Sequence, residues 1–355
     1  MRAVANRFIV RRGRLALGIA ALAAVAAGAV SAAVPASAAK KRAHGAARSW
    51  EKATRLARPA FHPRRRIDVS SAHAFWRAWR HLRPGVEIDV HHVVFTGETT
   101  FRKRLPGWAE VHFDRRTMFR GKRGGDLPAV WIDTSAHIRF YGGTVLNPGG
   151  AGGILIYDSA YVTWRDFLVH WVGGSGLVVQ GIHGPNTHLD LEGRIAHWGD
   201  NLAHDPHSEK GTGLHGALLG DAKYGVKDSR FVLDLHDGPT GSGVEAGGSQ
   251  STDGFWNNTL YLRCRNLTMR AVHQTGGNCI QLWGDNVTGN RFAYIEADDL
   301  QGLPYQTDGL YDGQSLATDT VVYGRASHTN LNSRMGDTRW DPHGGTVFRN
   351  VSPRP

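Results

Sequence analysis

The hydrophobic pattern of the chain repeats most plainly within Gly152–Gly181. This stretch contains three short runs rich in β-branched and aromatic residues, separated by turn residues, and the pattern begins again at Gly176. The runs are Ile154–Tyr157, Tyr161–Trp164 and Phe167–Trp171. A period of about 20–50 residues is typical of repeat architectures, in which each unit buries its apolar face against the next. The stretch therefore predicts one complete coil of a β-solenoid.

Other coils can be aligned by their first strands, which begin at a glycine or, in one coil, at Cys279. Side chains alternate across a strand, so one row of equivalent positions faces inward and the next faces outward. The inward row is Ile154, Leu177, Ala217, Val244, Ile280 and Leu310. The outward row is Leu155, Val178, Leu218, Glu245, Gln281 and Tyr311, with Tyr157, Gln180 and Trp283 two residues further along. The outward row changes from aliphatic to polar and aromatic along the solenoid.

The polar and aromatic half of the outward row is a candidate sugar-binding face. Aromatic rings stack on the C–H faces of a sugar, and amide and carboxylate groups bind its hydroxyls. The candidate substrate-binding residues are Gln281, Trp283, Tyr311, Tyr157 and Gln180. The alternative, that Trp283 and Tyr311 simply pack beneath loops, stays open.

A short amphipathic helix is predicted ahead of the first coils. Phe75, Trp76, Trp79 and Leu82 recur at helical spacing after a serine cap and before Pro84-Gly85. A solenoid exposes its apolar core at each end and needs a lid there. We therefore interpret these aromatic residues as an end cap.

A capping helix ending in Leu-Arg-Pro-Gly, then Glu-Ile-Asp-Val, then stacked three-strand coils resembles the right-handed parallel β-helix proteins of the pectin-lyase-like superfamily. The resemblance covers about Ser70 to Asn350 and implies an all-β, right-handed parallel β-helix, which we assign to residues 67–355 as one domain. That superfamily includes polysaccharide lyases, glycoside hydrolases, epimerases, adhesins and phage tailspikes, so the resemblance implies a carbohydrate ligand without deciding catalysis. The chain lacks the Asn-Thr-Asp, paired Asp-Asp and Gly-His-Gly motifs of the polygalacturonase-like hydrolases, and it has no arginine placed as in the pectate lyases.

Residues 1–38 predict a secretory signal peptide. They contain five arginines and no acid, an apolar run Leu15–Val34, and the small-residue pattern Ala36-Ser37-Ala38. We expect cleavage before Ala39 and a secreted, extracellular or cell-wall-associated product. An uncleaved anchor is the alternative, and Arg11-Arg12 leaves the choice between the general and the twin-arginine export route open.

The net charge of +11 divides unevenly into +5 for residues 1–38, +9 for residues 39–66 and −3 for the remainder. Residues 39–66 are predicted to form a basic disordered arm, either a spacer or an attachment to cell-wall polyanions. The slightly acidic body argues against a nucleic-acid groove. A monomer is expected.

The cysteines of the chain are Cys264 and Cys279. In an exported protein they can form a disulfide, which would stabilise the fold by about 3 kcal/mol. Two buried thiols are the alternative. The absence of a Cys-x-x-Cys motif argues against zinc.

The last strand of each coil predicts a ladder of polar side chains about 4.8 Å apart. Its members would be Asn147, His170, His197, His236, His273, Asp298 and His328. Two stacked imidazolium ions would repel by roughly 1 kcal/mol in water, so the ladder should be mostly neutral near pH 7 and able to accept protons. A purely structural ladder is the competing interpretation.

Glycoside hydrolysis requires two carboxyl groups, one of them protonated, about 5–10 Å apart. The candidate catalytic residues are Glu245, Asp237, Asp298 and Asp299, with His236 and His273. A lyase would need a base and a neutralised uronate, through Ca²⁺ or Lys/Arg. The acidic body favours the hydrolase, and outside the lyase case we expect no cofactor.

Two further alternatives remain at this stage. A non-catalytic glycan-binding protein would present the face formed by Tyr157, Trp283 and Tyr311. A metal site is not expected, because the one loop rich in histidine and acid has no defined ligand spacing. That loop contains Asp200, His204, Asp205, His207 and Glu209.

Overall fold

A computed structural model describes most of the chain after residue 49. The described residues are 50–199, 214–220, 224–239, 241–248, 253–268, 277–284, 287–302, 305–307, 317–318, 320–329 and 346–352. The predicted signal peptide, His273, Tyr311 and the loop from Asp200 to Glu209 lie outside them. Within this part of the chain, no helix is both long and apolar enough to cross a membrane.

The described strands form two parallel sheets. The larger, sheet A, contains β1 (Arg65–Val69), β2 (Val86–Val90), β3 (Val94–Thr96), β5 (Arg104–Arg120), β7 (Ala136–Asn147), β9 (Ala160–Val172), β11 (Asn186–Thr187), β12 (Asp190–Trp198), β14 (Tyr224–Lys227), β15 (Arg230–Gly238), β17 (Asp253–Trp256), β18 (Thr259–Leu267), β20 (Val287–Thr288), β21 (Arg291–Leu300), β23 (Ala317–Thr318), β24 (Thr320–Thr329) and β25 (Thr346–Ser352). The smaller, sheet B, contains β4 (Thr99–Phe101), β6 (Pro128–Asp133), β8 (Gly152–Tyr157), β10 (Ser175–Gln180), β13 (Ala217–Leu219), β16 (Val244–Gly248), β19 (Ile280–Gly284) and β22 (Gln306–Thr307). Each coil passes from sheet B into sheet A, and each strand pairs with its counterparts in the neighbouring coils, so the fold is a parallel β-solenoid.

The predicted template coil is confirmed, with one refinement. Its first run is β8, while its second and third runs join into the long strand β9. Asp166 lies between them with φ of 62°, at a point where the register with β12 shifts by one residue. This bulge bends the strand, because an extra left-handed residue interrupts the alternation.

The two predicted rows of sheet B are confirmed as far as the described residues reach. Ile154, Leu177, Ala217, Val244 and Ile280 are all at most 1 % exposed. The outward residues Leu155, Val178, Leu218, Glu245 and Gln281 are successive partners in register. The row then continues to Gln306 rather than Tyr311, since β22 pairs with β19 through Gln281 and Gln306.

The glycines that open the strands of sheet B are required by how closely the coils approach. A Cβ placed on Gly176 would lie 2.3 Å from Ile195 Cγ2 and 2.7 Å from the carbonyl oxygen of Gly216. Both distances are far below van der Waals contact. The glycine signal in the sequence therefore reports coil-to-coil packing.

A buried ladder of serine and asparagine side chains satisfies the turns that lead from sheet B into sheet A. Asn186 Oδ1 accepts from the Ser159 N–H, Asn258 Oδ1 accepts from the Ser229 N–H, and Asn290 Oδ1 accepts from the Asn258 N–H. All five residues are at most 4 % exposed. Backbone groups buried away from water cost free energy unless they are paired, so this ladder is a condition for closing the coils.

The predicted end cap is confirmed as the helix Ala72–Arg80. Ser71 caps its first turn by accepting from the Ala74 N–H. Phe75 is fully buried and its ring packs edge-on against Phe95 and Phe101 of the first coils. The helix therefore closes the apolar core at the N-terminal end of the solenoid.

Cys264 and Cys279 form a disulfide with Cα atoms 5.4 Å apart. Cys264 lies in β18 of sheet A and Cys279 directly precedes β19 of sheet B. The sequence left a disulfide and two buried thiols as alternatives, and the structure contains the disulfide. It links the two sheets across one coil.

The predicted histidine ladder is wrong in its register. The row that contains His170 continues through Ala196, His236, Arg265, Asp298 and Ser327. Asn147 instead pairs with Val172, and His273 lies outside the described residues. His197 is one residue past the row, in a left-handed conformation, and its ring stacks on Trp171 at 4.1 Å. In these strands the residue directly after the row position is left-handed. In β12 the histidine occupies that left-handed position instead of the row position, which is why the predicted register is wrong.

The predicted disordered arm, residues 39–66, is wrong over its second half. β1 begins at Arg65 and pairs with β2, so the solenoid starts before residue 67. Residues 50–54 are helical, and Trp50 and Thr54 are 8 % and 7 % exposed. We call residues 50–58 the strap. Basic composition predicted solvation, but the strap binds to charged residues of sheet A, as described below.

We predict that Asn258→Ala destabilises the protein by about 2–4 kcal/mol. The substitution leaves the Ser229 N–H and the Val226 carbonyl buried without their partners. Chemical denaturation measures the change. The neighbouring Asn257 is exposed and left-handed, so Asn257→Gly is the matched control and should change stability by less than about 1 kcal/mol. Equal effects of the two substitutions would contradict a stabilising ladder.

Candidate functional site

A cleft of about 1010 Å³ lies between the strap and the outward face of sheet A. It crosses six neighbouring long strands, β5, β7, β9, β12, β15 and β18, which corresponds to about 24 Å along the solenoid axis. Its wall on the strap side is Trp50, Thr54 and Arg58. The cleft follows the bend in the strands, where Asp166 bulges out between the partners of Glu192 and Gly193.

The strap is held by charged side chains that belong to the sheet. Arg165 Nη1 donates to the carbonyl of Ala57 at 3.4 Å, and Arg230 Nη2 donates to the carbonyl of Thr54 at 3.3 Å. The Arg263 guanidinium lies 5.0 Å from the centre of the Trp50 ring. The attachment therefore uses backbone carbonyls and one aromatic ring of the strap.

Asp190 and Glu192 place two carboxyl groups on the same outward face of β12. Asp190 pairs with Arg165 at 2.5 Å and with Arg230 Nη1 at 2.6 Å. Glu192 Oε2 lies 3.5 Å from that same Arg230 nitrogen. Because both carboxyl oxygens contact one atom, they are at most about 6 Å apart, which is compatible with the spacing of about 5–5.5 Å in retaining glycosidases.

Glu192 is the carboxyl group whose environment favours the protonated form. Burial raises the pKa of Glu192 above its ordinary value, the charges of Arg230 and Arg165 oppose that rise, and the carboxylates of Asp166 and Asp190 add to it. The net direction is upward. Glu192 also lines a second cavity, of about 790 Å³, whose other walls belong to residues 51–56 of the strap. The strap therefore contributes to its burial.

Arg58 of the strap reaches into the cleft as a cation. Its Nη2 lies 2.6 Å from Asp166 Oδ2, and its guanidinium lies 4.6 Å from the centre of the Tyr141 ring. The Arg58 and Asp166 side chains are both slightly more than half exposed. A carboxylate and an aromatic face together make a small binding place for a positive charge.

Next to Tyr141 lies a histidine in a carboxylate-rich environment. The His112 and Tyr141 rings meet edge to face at 4.9 Å, and His112 Nε2 lies 2.9 Å from Glu110 Oε2. Burial alone would raise the pKa of Glu110, but hydrogen bonds from His112 and Arg139 outweigh it, and the pKa is lowered. Glu110 is therefore a charged structural partner rather than a proton donor.

The ligand atoms of Glu87, Glu110 and His112 lie within 4.8 Å of one another, so we tested whether they fit a calcium ion. Arg66 Nε is 2.6 Å from Glu87, and Arg139 Nη1 is 3.0 Å from Glu110, so both carboxylates are already paired with cations. Calcium takes about six to eight oxygen ligands, and this cluster offers an imidazole. These residues do not fit the calcium that a lyase would use.

The predicted residues Glu245 and Gln281 are neighbours on the outward face of sheet B. His215 Nε2 lies 2.8 Å from Glu245 Oε2, at an angle unsuited to a hydrogen bond, and His215 Nδ1 accepts from the Ser242 N–H. Ser242 Oγ contacts Gln281 Oε1 at 3.1 Å. His215 is 4 % exposed. It was missed as a partner of Glu245 because the two residues lie in different coils and are far apart in sequence.

The other predicted acids lie on sheet A and not beside Glu245. His236 Nδ1 is 2.7 Å from Asp237 Oδ2. Burial would raise the pKa of Asp237, but hydrogen bonds from His236 and Asn266 outweigh it and lower the pKa. Asp298 shares the row of His236, two coils away, and Asp299 is the exposed left-handed residue after it. The structure therefore divides the predicted catalytic set between two sheets.

The predicted sugar-binding residues are only partly described. Tyr157 Oη contacts Gln180 Oε1 at 3.2 Å, and the Trp131 ring packs edge-on against Tyr157 at 5.6 Å. Trp283 belongs to β19, and the whole of Tyr311 lies outside the described residues. The part of the face whose contacts are described is therefore Trp131, Tyr157 and Gln180, together with Gln281 beside Ser242.

Sequence reasoning missed the cleft on sheet A. Its acids and arginines lie in strands that the pattern did identify, but their pairing depends on the exact register between coils. One signal was present: Trp50 is a large aromatic residue within a strongly basic segment. Such a residue indicates a segment that packs against something.

No family model and no curated protein sequence matches this chain. Two solved structures resemble it at 12 % sequence identity. A crystal structure of alginate lyase from Paenibacillus sp. str. FPU-7 has a TM-score of 0.41 and covers 81 % of this chain and 99 % of its own. Geobacillus virus E2 ORF18 has a TM-score of 0.42 and covers 79 % of this chain and 56 % of its own. Similarities at this level carry no argument about the chemistry of this chain.

We predict opposite effects on stability for the two glutamates of sheet A. Because the pKa of Glu192 is raised on folding, its ionisation opposes folding near pH 7, and Glu192→Gln should raise the melting temperature there. The gain should vanish below about pH 4, where the carboxyl is protonated in both states.

Glu110→Gln is the matched comparison, because the pKa of Glu110 is lowered on folding. It should destabilise by about 1–3 kcal/mol near pH 7, through loss of charged hydrogen bonds from Arg139 and His112. This loss should shrink as the pH falls through the folded pKa of Glu110. Thermal melts of both variants from about pH 3.5 to about pH 8 test the pair. Changes of the same sign near pH 7 would contradict the assignment.

Proposed function

We propose that this protein is a carbohydrate-active enzyme that hydrolyses a polysaccharide in the cleft between the strap and sheet A. The observation that carries the proposal is Glu192, a half-buried carboxyl with a raised pKa, beside the carboxylate of Asp190. Two carboxyl groups in different environments, at most about 6 Å apart, are what glycoside hydrolysis requires.

In this mechanism Glu192 is the general acid that protonates the leaving oxygen. Asp190 is held between Arg165 and Arg230 and acts on the opposite side of the bond, either on the anomeric carbon or on a water molecule. Arg165 and Arg230 are positioning residues, since they hold the Asp190 carboxylate. Tyr141 lines the cleft beside Glu192, and its ring can present an aromatic face to a sugar once the Arg58 guanidinium moves off it.

The hydrolase is favoured over the lyase by the same residues. A lyase needs a base and a cation that neutralises a uronate. Arg139, Arg165 and Arg263 are already paired with carboxylates of the protein, which leaves exposed cleft side chains such as Arg115 for that task. The glutamate cluster around His112 does not fit calcium, as described above.

Sheet B supports hydrolysis less well than sheet A does. Asp133 and Glu245 face outward there, but four coils, or about 19 Å, separate them. That distance is too long for a hydrolytic pair. The described aromatic residues of that face, Trp131 and Tyr157, could still bind sugar as an accessory to the cleft.

Two further expectations belong to this proposal. We infer a right-handed solenoid of the pectin-lyase-like type, because about 98 % of parallel crossover connections are right-handed. We also infer export, since the signal-like N-terminus is followed by a body that contains a disulfide.

The test is incubation of the protein with a panel of neutral, acidic and amino polysaccharides. We expect new reducing ends without unsaturated products on at least one of them. Glu192→Gln should lower kcat by about 10²–10⁴-fold with little change in substrate binding, because a general acid contributes about that factor.

Glu245→Gln is the control, since it removes the same charge on sheet B and should leave kcat unchanged. Unsaturated products would show a lyase instead. Loss of activity in Glu245→Gln, with full activity in Glu192→Gln, would move the site to sheet B.

A further inference from the structure

The Arg58 side chain shows what kind of group the cleft binds at one end. Arg58 belongs to the strap and lines the cleft. Its guanidinium contacts both the Asp166 carboxylate and the Tyr141 ring. The Asp166 carboxylate and the Tyr141 ring that hold this guanidinium together form a place, that is, a small binding site, suited to a cation. The place is built from the sheet, so it persists when the Arg58 side chain moves away.

The contact that holds Arg58 is weak enough for a ligand to replace it. The Arg58 and Asp166 side chains are 56 % and 55 % exposed, and exposed ion pairs contribute only about 0–1 kcal/mol. The strap itself is fixed elsewhere, through the carbonyls of Thr54 and Ala57 and through Trp50. Arg58 can therefore swing out while the strap stays in place.

The cleft around this place contains charges of both signs. Its lining includes four acidic side chains and four arginines: Asp114, Asp166, Glu192, Asp234, Arg58, Arg115, Arg194 and Arg263. A cation at the position of the Arg58 guanidinium keeps the charge balance that the cleft already has. The place also lies within the cleft that Glu192 lines, and Asp190 is two residues from Glu192 on the same strand.

We propose that Asp166 and Tyr141 form a subsite for the ammonium group of an amino sugar, so that the substrate is a polysaccharide containing unacetylated hexosamine. The inference rests on the proposed function for its assignment to a sugar. The ammonium takes the position of the Arg58 guanidinium, hydrogen-bonds to Asp166 Oδ2 and lies over the Tyr141 ring. Arg58 is then an internal competitor that substrate displaces.

The experiment measures binding of two probes to the full chain by calorimetry: the glucosamine trimer and the N-acetylglucosamine trimer. Arg58→Ala should bind the glucosamine trimer about two- to fivefold more tightly than the wild type does, because the competitor is gone and an exposed ion pair opposes binding only weakly. It should bind the acetylated trimer no better than the wild type. Arg55→Ala, which removes the same charge at an exposed strap position, is the matched control and should behave as wild type.

The double variant Arg58→Ala/Asp166→Asn should lose the preference for the glucosamine trimer. A preference that survives Asp166→Asn would overturn the subsite, as would equal binding of the two trimers to Arg58→Ala. An arginine tripeptide that binds Arg58→Ala while the glucosamine trimer does not would overturn the sugar assignment.

A second measurement uses the melting temperature, so that the subsite can be tested even if Arg58→Ala lowers the stability of the protein. Millimolar methylguanidinium should raise the melting temperature of Arg58→Ala by filling the vacated place, and it should not raise that of the double variant. No rise in either protein would contradict a cation place. Because these readouts are binding and stability, they can succeed even if Glu192→Gln shows that catalysis lies elsewhere, and they can fail while hydrolysis is confirmed.

Discussion

Stacking of coils at about 4.8 Å determines which side chains this fold can carry. Every residue lies beside its counterpart in the next coil, so a polar or charged position needs a compatible neighbour on both sides. Inside, the serine and asparagine ladder meets this condition by hydrogen-bonding from one coil to the next. Outside, on sheet A, one row of paired positions runs Glu87, Glu110, Arg139, Thr163, Asp190, Arg230 and Thr259.

The charges on and beside that row explain why the strap binds where it does. Arg165 and Arg230 pair with Asp190, but a guanidinium has five N–H donors and the carboxylate uses only some of them. Remaining donors of both arginines point to the carbonyls of Ala57 and Thr54. The row that stabilises the coils thus also anchors the segment that completes the cleft. A basic segment can bind here because it contributes backbone oxygens to the arginines of the sheet, while its own Arg58 pairs with the Asp166 carboxylate.

The parts of the fold that follow a strict period were predictable from the sequence, such as the inward residues of sheet B from Ile154 to Ile280. The histidine row failed in register because the left-handed residue at the end of β12 is His197, one position past the row, although its ring still meets that of His170 at 4.9 Å. The cleft was missed for a related reason. Nothing local to Asp190 shows which arginines flank it from the neighbouring coils, and Asp166 reaches the site only because a bulge interrupts β9. The strap is distant in sequence, and its composition favours disorder. Hydrophobic pattern carries no information about long-range register or a single bulge.

The strap is part of the chemistry of the cleft and not only its cover. Residues 51–56 and Glu192 line one cavity, so the strap removes water from the side of Glu192 that the sheet leaves open. Burial is the largest cause of the raised pKa of Glu192, and the arginines that hold the strap act against it. A protein that needed only stability would place a neutral side chain there, because a carboxyl that resists ionisation weakens the fold near pH 7. Retaining the acid at that position is physically reasonable if its proton is used.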